Sequence, residues 1–279
     1  MTGGPTMKMQ PLLLCGVFVA LLGISGRAQA PQTVPYDHIH LAAADPEKAY
    51  DWYLTNLNGQ AGENAGRMIF ERFSGSRPLP LQLMFIKAPD AAPSEGSVID
   101  SIGLSFPDVE AKVKTLEAAG AKVVAPVRQM PGLWKRAVVV DPFGVKIELV
   151  EDRNTLGFHH IALRVADPEA TTRWFLSAFG GERVKLGGQL DALKYGKTYL
   201  VVMQGQGTAP SQGRAIDHLG FGPPSMDGLA ADLKTKGVSF TAAPQPKPNQ
   251  FGHRTAYVEA PGGVRIELVE HTACAWGKE

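Results

Sequence analysis

Cysteine is almost missing from this 279-residue chain: there are two, Cys15 and Cys274. A disulfide-stapled fold is therefore excluded, and the core has to hold by packing alone. Charge excess is missing too. Lys and Arg number 28 against 27 Asp and Glu, a net charge of +1, which excludes a broad basic surface for nucleic acid and an acidic disordered tail. Beyond the first thirty residues no apolar run is long enough to cross a bilayer. Present instead are a hydrophobic fraction of 44%, 31 Gly and 21 Pro, the composition of a turn-rich globular protein.

The N-terminus has its own layout. Lys8 precedes the apolar stretch from Pro11 to Ile24, and small residues follow to Ala28-Gln29-Ala30. A positive start, a short apolar run and a small-residue exit predict a signal peptide over residues 1–30 and export to the periplasm or exterior. Its removal takes Cys15 with it, leaving Cys274 in a short tail, 272–279.

The remainder is written twice. Ala44-Asp45-Pro46-Glu47 followed by Trp52-Tyr53-Leu54 recurs as Ala166-Asp167-Pro168-Glu169 followed by Trp174-Phe175-Leu176. Ala92-Pro93-Ser94-Glu95-Gly96 recurs as Ala209-Pro210-Ser211-Gln212-Gly213. The run from Pro142 to Glu151 recurs from Pro261 to Glu270. These matches divide the chain into two homologous units, 35–152 and 157–271, joined near Asn154. Within each unit, period-2 strands alternate with helices opened by Asp-Pro, an N-cap followed by proline at the first helical position. The first helix should follow Asp45 or Asp167, and the next should run from Val109 to a stop at Gly120. Each unit thus reads as paired βαβββ modules, an α+β fold with helices on the outer face of a curled, mostly antiparallel sheet.

Strand parity then selects side chains. In Phe158–Val165 the set Ile161, Leu163 and Val165 packs under helices, leaving His160 on the concave face. Leu219 and Phe221 take the packing face of the next strand and leave His218 opposite. Val264, Ile266 and Leu268 do the same for Glu267. On this reading His160, His218 and Glu267 share one cavity in the second unit. Two imidazoles and a carboxylate are the facial triad of a catalytic metal site.

Both units resemble the vicinal oxygen chelate superfamily, which includes glyoxalase I, fosfomycin and bleomycin resistance proteins, and type I extradiol dioxygenases. The resemblance rests on His38…Leu41…Asp45, repeated as His160…Leu163…Asp167, and on Asp141-Pro142-Phe143-Gly144-Val145-Lys146-Ile147-Glu148-Leu149, repeated with Ala260 in place of the Asp. It implies tandem glyoxalase-like domains and a divalent metal at His160, His218 and Glu267. The first unit keeps His38 and Glu148 but has Ser101 where the middle histidine belongs, so its metal site is expected to be degenerate, with His40 as a weak further donor.

An extradiol-type dioxygenase leads among the implied activities, with Fe2+ or Mn2+ as the metal and a catechol-like small molecule as substrate. Tyr257 would be the phenol that hydrogen-bonds substrate. That class also uses an acid–base histidine shortly before the middle ligand, but Thr198–Asp217 contains none, and His253 is the histidine left to take the part. The alternatives are a glyoxalase-like isomerase or lyase using Ni2+, Zn2+ or Co2+, and a resistance-type protein that binds a small molecule without turning it over. The isomerase class adds a mid-sheet glutamate, and Lys197–Gln204 offers only Tyr199 and Gln204 there. No nucleic acid is expected as a partner, nor a membrane once the signal is removed. A homodimer is compatible with the sequence.

Overall fold

A computed structural model describes residues 1–3, 33–62, 67–70, 81–206 and 208–271. The expected signal peptide and the tail with Cys274 lie outside the described residues. No helix among the described residues is long and apolar enough to cross a membrane.

The first unit contains β1 (Tyr36–Ala43), α1 (Pro46–Asn56), β2 (Gln60–Ala61), β3 (Arg67–Phe70), β4 (Leu81–Lys87), β5 (Ile99–Ser105), α2 (Val109–Ala118), β6 (Lys122–Gln129), β7 (Lys135–Val140) and β8 (Lys146–Val150). The second repeats this order with β9 (Gly157–Val165), α3 (Pro168–Phe179), β10 (Glu182–Leu186), β11 (Leu190–Tyr195), β12 (Thr198–Gln204), β13 (Ile216–Phe221), α4 (Met226–Thr235), β14 (Phe240–Ala242), β15 (His253–Ala260) and β16 (Val264–His271).

Local chemistry sets the helix starts as the sequence predicts. The Asp45 carboxylate accepts from Lys48 N at 3.1 Å, and Asp167 from Ala170 N at 2.9 Å, each just ahead of a proline. Asp108 and Ser225 cap α2 and α4 in the same way. Gly120 follows the C-terminus of α2 with φ 91°, a conformation open to glycine.

The strands form two eight-stranded sheets, and each draws one βαβββ module from either unit. The first runs β14-β15-β16-β13-β1-β4-β3-β2 and the second β10-β11-β12-β9-β5-β8-β7-β6. At the centre of the first, β1 meets β13 antiparallel, with His40 opposite His218. At the centre of the second, β5 meets β9, with Gly103 opposite His160. This corrects the expectation that each unit closes its own sheet. The modules pair across the repeat boundary. A long strand edge can pair with either copy of a homologous partner, because both offer the same hydrogen-bonding pattern and the same apolar face.

The helical faces of both sheets share one continuous core. Its fully buried members include Ile39, Tyr53, Leu104, Phe175, Phe179 and Phe221. Phe179 of α3 stacks on Phe221 of β13 with ring centroids 4.3 Å apart. A smaller apolar cluster centred on Leu186, Ala192 and Val201 lies apart from this core.

Candidate metal centre

Crosswise pairing decides which side chains meet. On the first sheet His38 and His40 of β1, His218 of β13 and Glu267 of β16 present ligand atoms that all lie within 4.8 Å of one another. Two of the three residues expected to share a site, His218 and Glu267, are here. The third is not: His160 belongs to the second sheet, and its place is taken by His38. The grouping of His160 with the other two is therefore corrected.

The geometry at this cluster converges on one oxygen. His38 Nε2 lies 3.1 Å and His218 Nε2 3.2 Å from the same Glu267 Oε2. Each imidazole is held from behind by the residue preceding it: His38 Nδ1 lies 3.3 Å from Asp37 Oδ1, and His218 Nδ1 lies 2.5 Å from Asp217 Oδ1. A carboxylate on Nδ1 fixes the tautomer that leaves Nε2 free to ligate, the usual support of a metal-bound histidine. Asp217 is anchored in turn by Arg265 Nη1 at 2.6 Å and by Gly213 N at 2.7 Å. Asp37 is anchored by His271 Nε2.

Charges in this dry setting shift accordingly. Burial alone would lower His38, but its bonds to Asp37 and Glu267 outweigh burial and raise it to about 9. Burial alone would raise Glu267, yet the two histidines hold it far below the ordinary carboxylate range. An ionised carboxylate flanked by two imidazoles is a donor set suited to a divalent cation, which would take the place of the proton that His38 otherwise holds.

Two further features fit that reading. Gly220 faces His38 across the β1–β13 ladder, and a Cβ there would lie 2.2 Å from the imidazole ring. Glycine is thus what lets the ring occupy its place. Gln82 of β4 is paired with His38, is 1% exposed, and its buried Oε1 accepts no hydrogen bond among the described residues. A buried carbonyl without a donor is costly, and a cation nearby would satisfy it. Gln82 was missed because a lone glutamine in a strand reads as polar alternation. The mid-sheet donor was sought instead in Lys197–Gln204, a strand of the other sheet.

Tyr257 of β15 lies opposite Glu267, its ring 5.6 Å from that of His218 and 4.5 Å from the Arg265 guanidinium. Burial, and then the Glu267 charge, raise its phenol well above its usual value, so it remains a hydrogen-bond donor. His253 stands at the far end of the same strand, with its ring 4.6 Å from that of His271. It is linked to the cluster by way of His271, whose Nε2 reaches Asp37, and is not one of the four grouped ligands.

The second sheet has the corresponding positions with different chemistry. Ser101 donates to Glu148 Oε1 at 2.9 Å, Arg136 Nε donates to Glu148 Oε2 at 2.5 Å, and His160 Nε2 is 3.9 Å from that oxygen. A guanidinium therefore supplies the positive charge beside Glu148. Burial lowers His160 to about 4, so it stays neutral. Gly103 holds the place of Gly220: a Cβ there would lie 2.1 Å from the His160 ring. Ser101 and Glu148 are thus joined by His160 of the other unit, not by His38 as expected.

Comparison with known proteins follows the same division. The sequence profile of the Glyoxalase/Bleomycin resistance protein/Dioxygenase superfamily matches residues 36–149 and again 157–268. Glyoxalase I from Zea mays superposes with a TM-score of 0.65 at 18% identity, over 86% of this chain and 92% of that one. A proposed dioxygenase from Bacillus subtilis gives 0.59 at 18% identity, over 86% of each chain. No curated protein matches the sequence.

Proposed function

Because this chain belongs to the Glyoxalase/Bleomycin resistance protein/Dioxygenase superfamily, we propose that His38, His218 and Glu267 hold a divalent cation and that the protein is an enzyme for a small molecule bound through two adjacent oxygens. The observation that carries this is the convergence of two carboxylate-backed imidazoles on one Glu267 oxygen. Such a cation supplies Lewis acidity toward a chelating substrate. Three protein ligands of this type leave room for that substrate, which a closed structural site would not.

The leading chemistry is extradiol-type oxidation of a catechol-like substrate, with Fe2+ or Mn2+ as the favoured metals. Tyr257 supports it, as a protonated phenol beside Glu267 that can donate to a substrate oxygen. His40 lies with its ring 4.3 Å from that of His218, close enough to act as a base at the same substrate. It replaces His253 in the acid–base role, since His253 sits at the other end of β15. A glyoxalase-like isomerisation is the second reading, favoured by Gln82 as a further oxygen donor. The layout of the N-terminal thirty residues supports export.

Metal content per chain tests the core of the proposal. His218→Ala and His38→Ala are both expected to abolish stoichiometric uptake, because both serve one centre, while His160→Ala retains it. Uptake that survives His38→Ala but not His160→Ala would overturn the assignment. Aerobic turnover of catechols by the Fe2+-loaded protein then separates the two chemistries: ring opening supports dioxygenation, and its absence alongside isomerase turnover rejects it.

A further inference from the structure

The face of the first sheet turned away from the helices is a cup with the candidate centre in its middle, and its two sides differ. From β1 and β13 the sheet runs outward to β4 on one side and to β16 and β15 on the other. On β4, Leu83 is fully buried and Phe85 packs on Tyr50 and Tyr53 of α1, so Gln82, Met84 and Ile86 face the cup. Register sets them beside the centre: Gln82 lies opposite His38, Met84 opposite His40 and Ile86 opposite Ala42. On β15, Ala256 and Val258 belong to the core, which leaves Thr255 and Tyr257 on the cup face, with Arg265 beyond Glu267 on β16. The β15–β16 side is therefore polar, and the β4 side is apolar past Gln82.

Exposure separates the ligands from their surroundings. His38, His218, Glu267 and Gln82 are buried, whereas Met84 and Ile86 are only partly covered. The cup of the second sheet shows the alternative. There β12 pairs with β9 in the same register, Tyr199 opposite His160 and Val201 opposite Ala162, so Val201 stands where Met84 does. Val201 is 3% exposed and clustered with Leu186 and Ala192. The same wall is thus closed over by the chain in one cup and left accessible in the other.

We propose that the substrate carries an apolar aryl or alkyl body, that this body lies over Met84 and Ile86 while its two adjacent oxygens face the centre, and that these two side chains select for it. The inference rests on the reading of His38, His218 and Glu267 as metal ligands. A thioether chain adapts to the shape laid on it and makes favourable contacts with ring edges. A charged or strongly hydrated substituent on that side would lose water without gaining a partner. On the opposite side Tyr257 and Arg265 offer a donor and a charge, which suit the oxygen-bearing end of the molecule.

The test uses the full chain loaded with Co2+ and titrated calorimetrically with two hydroxamates. Acetohydroxamate and benzohydroxamate present the same pair of adjacent oxygens and differ only in carrying a methyl or a phenyl. Benzohydroxamate is expected to bind tighter by roughly tenfold or more, the gain from covering part of a ring. Met84→Gln and Ile86→Thr, both at partly exposed positions and close in size to the native side chains, should each keep acetohydroxamate binding and cut the preference for the phenyl by roughly threefold or more. Equal affinity for the two hydroxamates, a phenyl preference kept in full by both variants, or an equal loss of both hydroxamates in both variants would overturn the selective role and leave the metal centre standing. Failure of acetohydroxamate itself to bind the native chain would overturn the centre, and this inference with it.

Discussion

Gly220 and Gly103 hold equivalent positions in the two cups, so methylating each in turn separates the roles of the cups. In Gly220→Ala the new Cβ would lie 2.2 Å from Cε1 and Nδ1 of His38 and 2.6 Å from Nε2. Comfortable contacts need roughly 3.5–4.0 Å, so the ring must leave its place. Overpacking of this kind costs about 1–3 kcal/mol. Displacing the ring also breaks the charged His38–Glu267 bond, worth about 1.5–3 kcal/mol. Together these give about 2.5–6 kcal/mol, a fall in Tm on the order of 10 °C for a chain of this size. Gly103→Ala pushes on His160 from 2.1 Å, but His160 is 3.9 Å from Glu148 and its short bond, 2.8 Å, runs to the uncharged His159 ring, so no charged bond is lost. Its cost should stay at about 1–3 kcal/mol. The decisive readout is Co2+ uptake followed calorimetrically alongside thermal melts: abolished in Gly220→Ala, intact in Gly103→Ala. If Gly220→Ala binds Co2+ with native affinity, His38 is not a ligand and the reasoning fails.

Other expectations follow from the same geometry. Asp37→Asn removes the anchor behind His38 and should weaken metal binding by roughly 10–100-fold, measured by competition with a chromophoric chelator; unchanged affinity would refute the anchoring role. Tyr257→Phe should keep metal affinity and lower kcat on the order of 10²-fold; a change confined to KM would place the phenol in ground-state binding instead. Metal-free protein should lose stability with rising pH. Its His38 is raised to about 9, so the stability it contributes is complete below the unfolded value near 6.5 and is lost as pH climbs through 9, about 3 kcal/mol in all. Urea unfolding of the apo protein at pH 6.5 and 9.5 checks this, and His38→Gln should flatten the difference.

Much of this was legible in the sequence because it is local. Asp45 and Asp167 announce their helices through the cap and the proline that follows, and the strand parity of His218 and Glu267 depends only on immediate neighbours. Pairing is not local. His160 and His38 occupy the same position in two near-copies, and no nearby residue says which faces His218; the chain resolves this through β1–β13 and β5–β9 contacts between the two units. Arg136 was invisible for a related reason. An arginine in Lys135–Val140 reads as a solvated strand residue until Glu148 is found against it.

The crosswise pairing also separates what is repeated from what operates. Neither half of the chain contains a finished cup: cut near Asn154, the first half would expose the central edge of β1 and that of β5, and the second half those of β9 and β13. Four long strand edges would then be left seeking partners, the hazard that drives aggregation. The two halves are accordingly bound to be made, folded and kept together. A substitution in either copy falls on one cup alone, according to its module, so the cation cup and the guanidinium cup can change independently although neither copy can be discarded.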